Sequence, residues 1–197
     1  MKDKTIEISR ERVLETYATA RETGAGSTMK VLEAMFGEDE FKPKDVRERV
    51  KTFDDACREL GEEHQFVKAF RSIYTGTDSD IADVVAYHKL RIVCAALNEG
   101  WEPQFYKGET RYYPWFGFYT KDEIGEMSAD ERMELNMTST DGYQTEYAGF
   151  AYAYSINAPS TLYTRVGSRL CFKSDALAKY CGRQFTDIWA DFLLIRK

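Results

Sequence analysis

No run of apolar residues in this chain approaches the ~18 that a membrane-spanning helix needs. The first residues, Met1-Lys2-Asp3-Lys4-Thr5, pass straight into charged sequence with no apolar leader. A membrane association is therefore not expected, and the expected location is cytoplasmic. Histidine is scarce: His64 and His88 are the only two, and they form no H-x-x-x-H, which removes the usual histidine-based catalytic zinc site. The four cysteines, Cys57, Cys94, Cys171 and Cys181, are widely spaced and include no C-x-x-C, so neither a zinc ribbon nor a redox pair is indicated. Glycines fall singly at turns, with no G-x-G-x-x-G, G-x-x-x-x-G-K-[ST] or G-x-S-x-G, so no dinucleotide, P-loop or serine-hydrolase signature is present. No cofactor and no metal are expected. A basic excess is also missing. The net charge is −6, whereas a duplex-binding protein usually shows a basic face because phosphate neutralisation supplies much of its affinity. Duplex nucleic acid is not an expected partner.

What the first hundred residues do contain is a succession of helical patterns. Thr5-Ile6-Glu7-Ile8 alternates like a short strand, and Ser9 then caps a helix to about Glu22. Ser27 restarts a helix closed by Gly37. From Asp45 an apolar stripe runs through Val46, Val50, Phe53, Cys57 and Leu60, and Thr52 with Asp55 spells a capping box that would split it. Phe66, Val67, Phe70 and Ile73 mark a further helix. Asp78 or Ser79 caps the longest one, which reaches about Asn98 with Ile81, Val84, Val85, His88, Ile92, Ala95 and Ala96 along one face. His88 on that stripe reads as a hydrogen-bonded, partly buried residue, and His64 as a solvated one. Asp78, Asp80 and Asp83 resemble a Mg²⁺ cluster, but acidic residues at a helix start are what the macrodipole favours.

At Trp101 the texture changes. Sixteen of the 28 aromatic residues fall between Trp101 and Phe172, and the period shifts from 3.6 to 2. Arg111 to Tyr119 reads as a strand with Tyr113, Trp115 and Tyr119 on one face and Tyr112, Phe116 and Phe118 on the other. Pro114 cannot donate a ladder hydrogen bond, so this strand is expected at an edge or with a bulge. Tyr147 to Tyr154 splits by face: Phe150, Tyr152 and Tyr154 one way, Gly149, Ala151 and Ala153 the other. Ser128-Ala129-Asp130-Glu131 starts a short helix within an acidic, solvated run from Asp122 to Glu134. Leu170 and Phe172 alternate with Arg169 and Lys173 as a last strand. Ser174 then caps a terminal helix carrying Leu177, Tyr180, Cys181, Phe185, Ile188, Trp189 and Phe192.

Several of these segments also occur together elsewhere. Lys51-Thr52-Phe53-Asp54-Asp55-Ala56-Cys57, Ala96-Leu97-Asn98-Glu99-Gly100-Trp101, Tyr112-Tyr113-Pro114-Trp115-Phe116 and Gly167-Ser168-Arg169-Leu170-Cys171-Phe172-Lys173-Ser174 form a set. With the tail from Leu177 to Leu194, this set resembles an uncharacterised family found in gut bacteria and in their phages and other mobile elements. The resemblance spans nearly the whole chain. It implies an accessory or virion-associated role and carries no activity, cofactor or catalytic residue with it.

The expected architecture is one α+β domain over residues 1–197. Its helical half, 1–100, packs on a small antiparallel aromatic-rich sheet within the mixed half, 101–197, and a C-terminal helix closes that sheet. Both faces of residues 111–119 cannot be buried in a small edge strand, so some rings should be exposed or covered by a partner. The candidate binding residues are Tyr113, Trp115 and Tyr119, with Arg111 and Arg169 as polar partners. The leading expectation is a non-enzymatic binding or assembly module with a protein or virion partner. A small enzyme acting on a polar substrate near Tyr113, Trp115, Arg111 and Arg169 is the alternative. Stacking of single-stranded nucleic acid on Tyr112, Trp115 and Tyr119 is a third reading, against which the acidic balance counts.

Overall fold

A computed structural model describes residues 7–73, 81–104, 106–159 and 168–197. Residues Met1–Lys44 and Asp45–Lys197 form two compact units. In the first, α1 (Arg10–Glu22) starts at Ser9, whose hydroxyl accepts from the Arg12 N–H, and α2 (Gly26–Phe36) is followed by a 3₁₀ turn over Glu38–Phe41. Tyr17 stacks on Phe41 with ring centroids 4.1 Å apart, and its hydroxyl donates to Glu33 at 2.5 Å. The strand expected at Thr5–Ile8 falls mainly outside the described residues; Glu7 and Ile8 lie in irregular chain.

The second unit is α+β. Local capping divides its helical part: α3 (Val46–Arg49) and α4 (Phe53–Leu60) are separated by the Thr52–Asp55 capping box, in which each residue's side chain satisfies the other's N–H. α5 (Gln65–Ile73) leads towards α6 (Ala82–Asn98), whose expected cap at Asp78 or Ser79 lies outside the described residues, as do Asp78 and Asp80 of the acidic cluster. The central helix is α6: Ala86, Leu90, Ile92, Val93, Cys94, Ala96 and Leu97 are all buried in the core. It ends where Glu99 turns left-handed (φ 50°) and Gly100 follows at φ 81°, a C-cap in which glycine carries no Cβ penalty. Arg49 then ties the helix end to α4 through Glu59 and Glu99, each at 2.8 Å.

The sheet is antiparallel in the order β1-β3-β2, from β1 (Thr110–Tyr119), β2 (Thr138–Ser139) and β3 (Gly149–Pro159). β1 is an edge strand, and its register with β3 slips between Trp115 and Phe116, so Pro114 sits where an edge and a nearby bulge both tolerate it. Between β1 and β2 lie α7 (Lys121–Glu126) and α8 (Ala129–Leu135), each opened by a capping box, Thr120–Glu123 and Ser128–Glu131. Hydrogen bonds from the cap backbone and hydroxyl hold the Glu123 and Glu131 carboxyls below the usual range. The inner face of the sheet is closed by α9 (Asp175–Gln184) and α10 (Thr186–Leu193), two helices where one was expected. Gly182 on α9 lets Tyr152 and Pro114 approach so closely that an added Cβ would overlap both, and Trp189 on α10 meets Phe116 at 5.4 Å.

The strand expected at Leu170 and Phe172 does not form. Ser168–Leu170 is a 3₁₀ turn, and Phe172 makes a single bridge to Tyr112, exchanging N–H···O bonds of 3.1 and 2.9 Å. Both residues are nonetheless buried, as the alternation implied. The pairing is short because the next outward position on β1, Pro114, has no N–H, and the far side of the segment is held by Asn98. Its Nδ2 donates to the Cys171 carbonyl at 2.8 Å and its Oδ1 accepts from the Lys173 N–H at 3.0 Å. One buried side-chain amide thus takes the two backbone groups that another strand would have used, and Ser174 starts α9 immediately afterwards. Among the described residues, no helix is long and apolar enough to cross a membrane.

Candidate functional site

The five residues singled out from the sequence separate into three places. Arg111 and Tyr113 are buried, so they are not part of an exposed recognition face. They sit with Glu109 and Cys171, also buried. Burial pushes the Cys171 thiol up to about 11, and the Arg111 charge opposes that rise. Burial likewise raises the Tyr113 phenol, with Cys171 adding to the rise and Arg111 opposing it. Their odd positions on β1 turn towards this polar pocket of the interior, which strand alternation alone does not reveal.

Trp115 and Tyr119 lie on the same side of β1, and both are half-buried. The slip beside Trp115 adds Tyr154 to them. Trp115 pairs with Tyr154 and Phe116 with Tyr152, so Ala153 is the extra residue of a β-bulge and the alternation along β3 is interrupted there. The three rings expected on one face part company: Phe150 and Tyr152 are buried, at 2% and 5% exposure, whereas Tyr154 is 52% exposed. Its ring stacks on that of Trp115 at 6.1 Å with 20° between planes. Next to this pair Gly117 has no side chain, Ala153 is exposed, and the Tyr119 ring lies against the glycine, 3.7 Å from the point where its Cβ would be. Towards Gly149 the same side is closed by Ile124 and Met137, which pack into the space that glycine leaves.

Arg169 is elsewhere, exposed on the 3₁₀ turn and lining a cavity of about 360 Å³. The walls come from α4 (Leu60), the α4–α5 turn (His64), α5 (Phe66), one side of α6 (Arg91, Cys94, Ala95 and Asn98) and the chain from Gly100 to Pro103. Arg91 lies over the Phe66 ring, 4.0 Å from its centroid, a cation–π contact. His64 accepts the Phe66 N–H at Nδ1 at 3.3 Å and sets its ring edge-on to Phe66. It is half-buried in this wall, where a solvated residue was expected. His88 is half-buried on α6 and does not line the cavity. Cys94 forms part of the floor; burial raises its thiol well above the usual value and Cys181 adds to the rise, so it serves as a small apolar surface.

The sequence missed this cavity because His64, Phe66, Arg91, Trp101 and Arg169 share no period and no motif. The one signal is the change of texture at Trp101, since the chain from Gly100 to Pro103 also lines the cavity. A second hollow, of about 610 Å³, is lined by residues of α10 and by Leu194 to Lys197, with Asp83 and Gly142. Its cationic side chains are already engaged, Arg196 with Asp191 and Lys197 with the Asp141 carbonyl. Comparisons with protein-family models, curated proteins and solved structures return no match.

Proposed function

We propose that this chain is a non-enzymatic binding or assembly module of phage or mobile-element origin, and that it grips a protein partner through the outer face of its sheet around Trp115 and Tyr154. The observation that carries this reading is the Trp115–Tyr154 stack, an amphipathic aromatic surface with Tyr154 half exposed. Aromatic side chains of this kind give much contact area at little conformational cost, and they are enriched at the centres of interfaces. The net charge of −6 disfavours a nucleic acid as the stacking partner. The mobile-element context rests on the sequence resemblance described above.

The test is native mass spectrometry of the protein purified gently from its own host, run in parallel on W115A and Y154A. The expected result is a partner of defined mass that is lost in both variants while the fold survives. Truncating a half-buried ring should cost about 1–2 kcal/mol, against about 3–5 kcal/mol for a fully buried one. Full partner occupancy on folded W115A and Y154A would remove this face from consideration.

A further inference from the structure

We infer that the cavity between α4, α5, α6 and the Gly100–Pro103 segment is a binding site for a small organic acid, an apolar body carrying a carboxylate or phosphate group. The inference does not depend on the aromatic face. A volume of about 360 Å³ falls within the roughly 300–1,000 Å³ of small-molecule sites. The interior offers an apolar bed from Leu60, Phe66, Ala95 and Trp101.

The polar groups decide the class of ligand. Asn98 reaches the wall, but both ends of its amide are committed to Cys171 and Lys173. Arg91 has one guanidinium face on Phe66, an arrangement that leaves its in-plane N–H donors for an acceptor. Neither Arg91 nor Arg169 has a carboxylate within 4 Å among the described residues. His64 accepts at Nδ1, so the proton of the neutral ring resides on Nε2, a third donor. Against these stands one lining carboxylate, Glu102. In a chain of net charge −6 this is a local excess of cationic donors around an apolar hollow, the arrangement that an acid with a flat or branched apolar body satisfies.

The full chain, ¹⁵N-labelled, is titrated by NMR with benzoate, phenyl phosphate and the neutral benzyl alcohol. At least one anion should shift the Trp101 indole signal saturably, and benzyl alcohol should bind at least tenfold more weakly. R91Q and R169Q should each weaken the anion about tenfold or more, the size of a lost charged hydrogen bond. Whether benzoate or phenyl phosphate binds tighter tells a carboxylate source from a phosphate ester. If R91Q does not fold, R169Q decides, because Arg169 is exposed and its loss spares the core. W115A should bind the probes as the parent does. The assignment is overturned if neither anion shifts Trp101 by about 10 mM, if benzyl alcohol binds as well, or if folded R169Q binds unchanged.

Discussion

Replacing Asn98 by alanine removes one side chain and disconnects two backbone groups. The Cys171 carbonyl loses its 2.8 Å donor and the Lys173 N–H loses its 3.0 Å acceptor, in a place where Asn98 is 5% exposed. A buried backbone group left unmatched costs roughly 1–3 kcal/mol, so the pair should cost near 4 kcal/mol. For a chain of this length that corresponds to a fall in Tm of about 8–16 °C. Asn98→Asp sharpens the argument. It keeps an acceptor for Lys173 but sets a buried carboxylate against the Cys171 carbonyl, so at neutral pH it should cost at least as much as alanine. That carboxyl has its folded pKa raised, so its penalty applies above the folded pKa and is relieved as pH falls, when the acid O–H can donate to Cys171. Urea unfolding gives the free energies, and amide exchange at Lys173 reports the bond itself. If N98A costs under about 1 kcal/mol, or if Lys173 keeps the parent's protection, Asn98 is not what anchors the backbone from Cys171 to Lys173.

Two other outcomes follow from packing and titration. Gly182→Ala should cost about 1–3 kcal/mol or more, because its Cβ would meet the Tyr152 ring at 2.5 Å and Pro114 at 2.9 Å, both rigid; Gly149→Ala should cost less, since it meets the movable ends of Met137 and Ile124. Urea midpoints in the reverse order would mean that α9 does not press on the sheet as described. Burial, with the hydrogen bond to Asp191, pushes the Tyr143 phenol up to about 12. A raised folded pKa means that the associated stability is fully present below about pH 10 and is lost as pH rises towards 12, so Y143F should flatten the alkaline decline of the parent over that window. A Y143F curve parallel to the parent's would contradict it.

The parts of this fold that were legible in the sequence are the ones written in neighbouring residues. Thr52–Asp55 and Ser128–Glu131 are capping boxes because both partners lie three residues apart, and α6 declares itself by a sustained apolar face. Pro114 marked its strand as an edge because the missing N–H is a property of one residue. What the sequence hid is set by distant pairing. Tyr154 changes side because the register with β1 slips beside Trp115, and no period within β3 encodes that slip. The 170–172 segment makes one bridge instead of a strand, and its far side is held by an amide more than seventy residues earlier. Arg111 and Tyr113 share their parity with Trp115, yet they are covered where Trp115 is only half covered. The cavity draws its donors from helices, a turn and the 3₁₀ segment, and the Arg91–Phe66 contact that builds it joins residues 25 positions apart.

The single Tyr112–Phe172 bridge has a further consequence for how this molecule meets other copies of itself. It shows that the even-numbered residues of β1 aim their backbone groups outward. The next outward position is Pro114, which has no N–H to offer. A second strand arriving at this margin would find one rung already taken and the following one missing a donor. Unpaired sheet margins are the usual templates for runaway strand addition, and proline is one of the means by which proteins blunt them. Here the same stretch that displays the Trp115 ring to its surroundings is kept from recruiting foreign strands through its backbone, so adhesion is left to side chains.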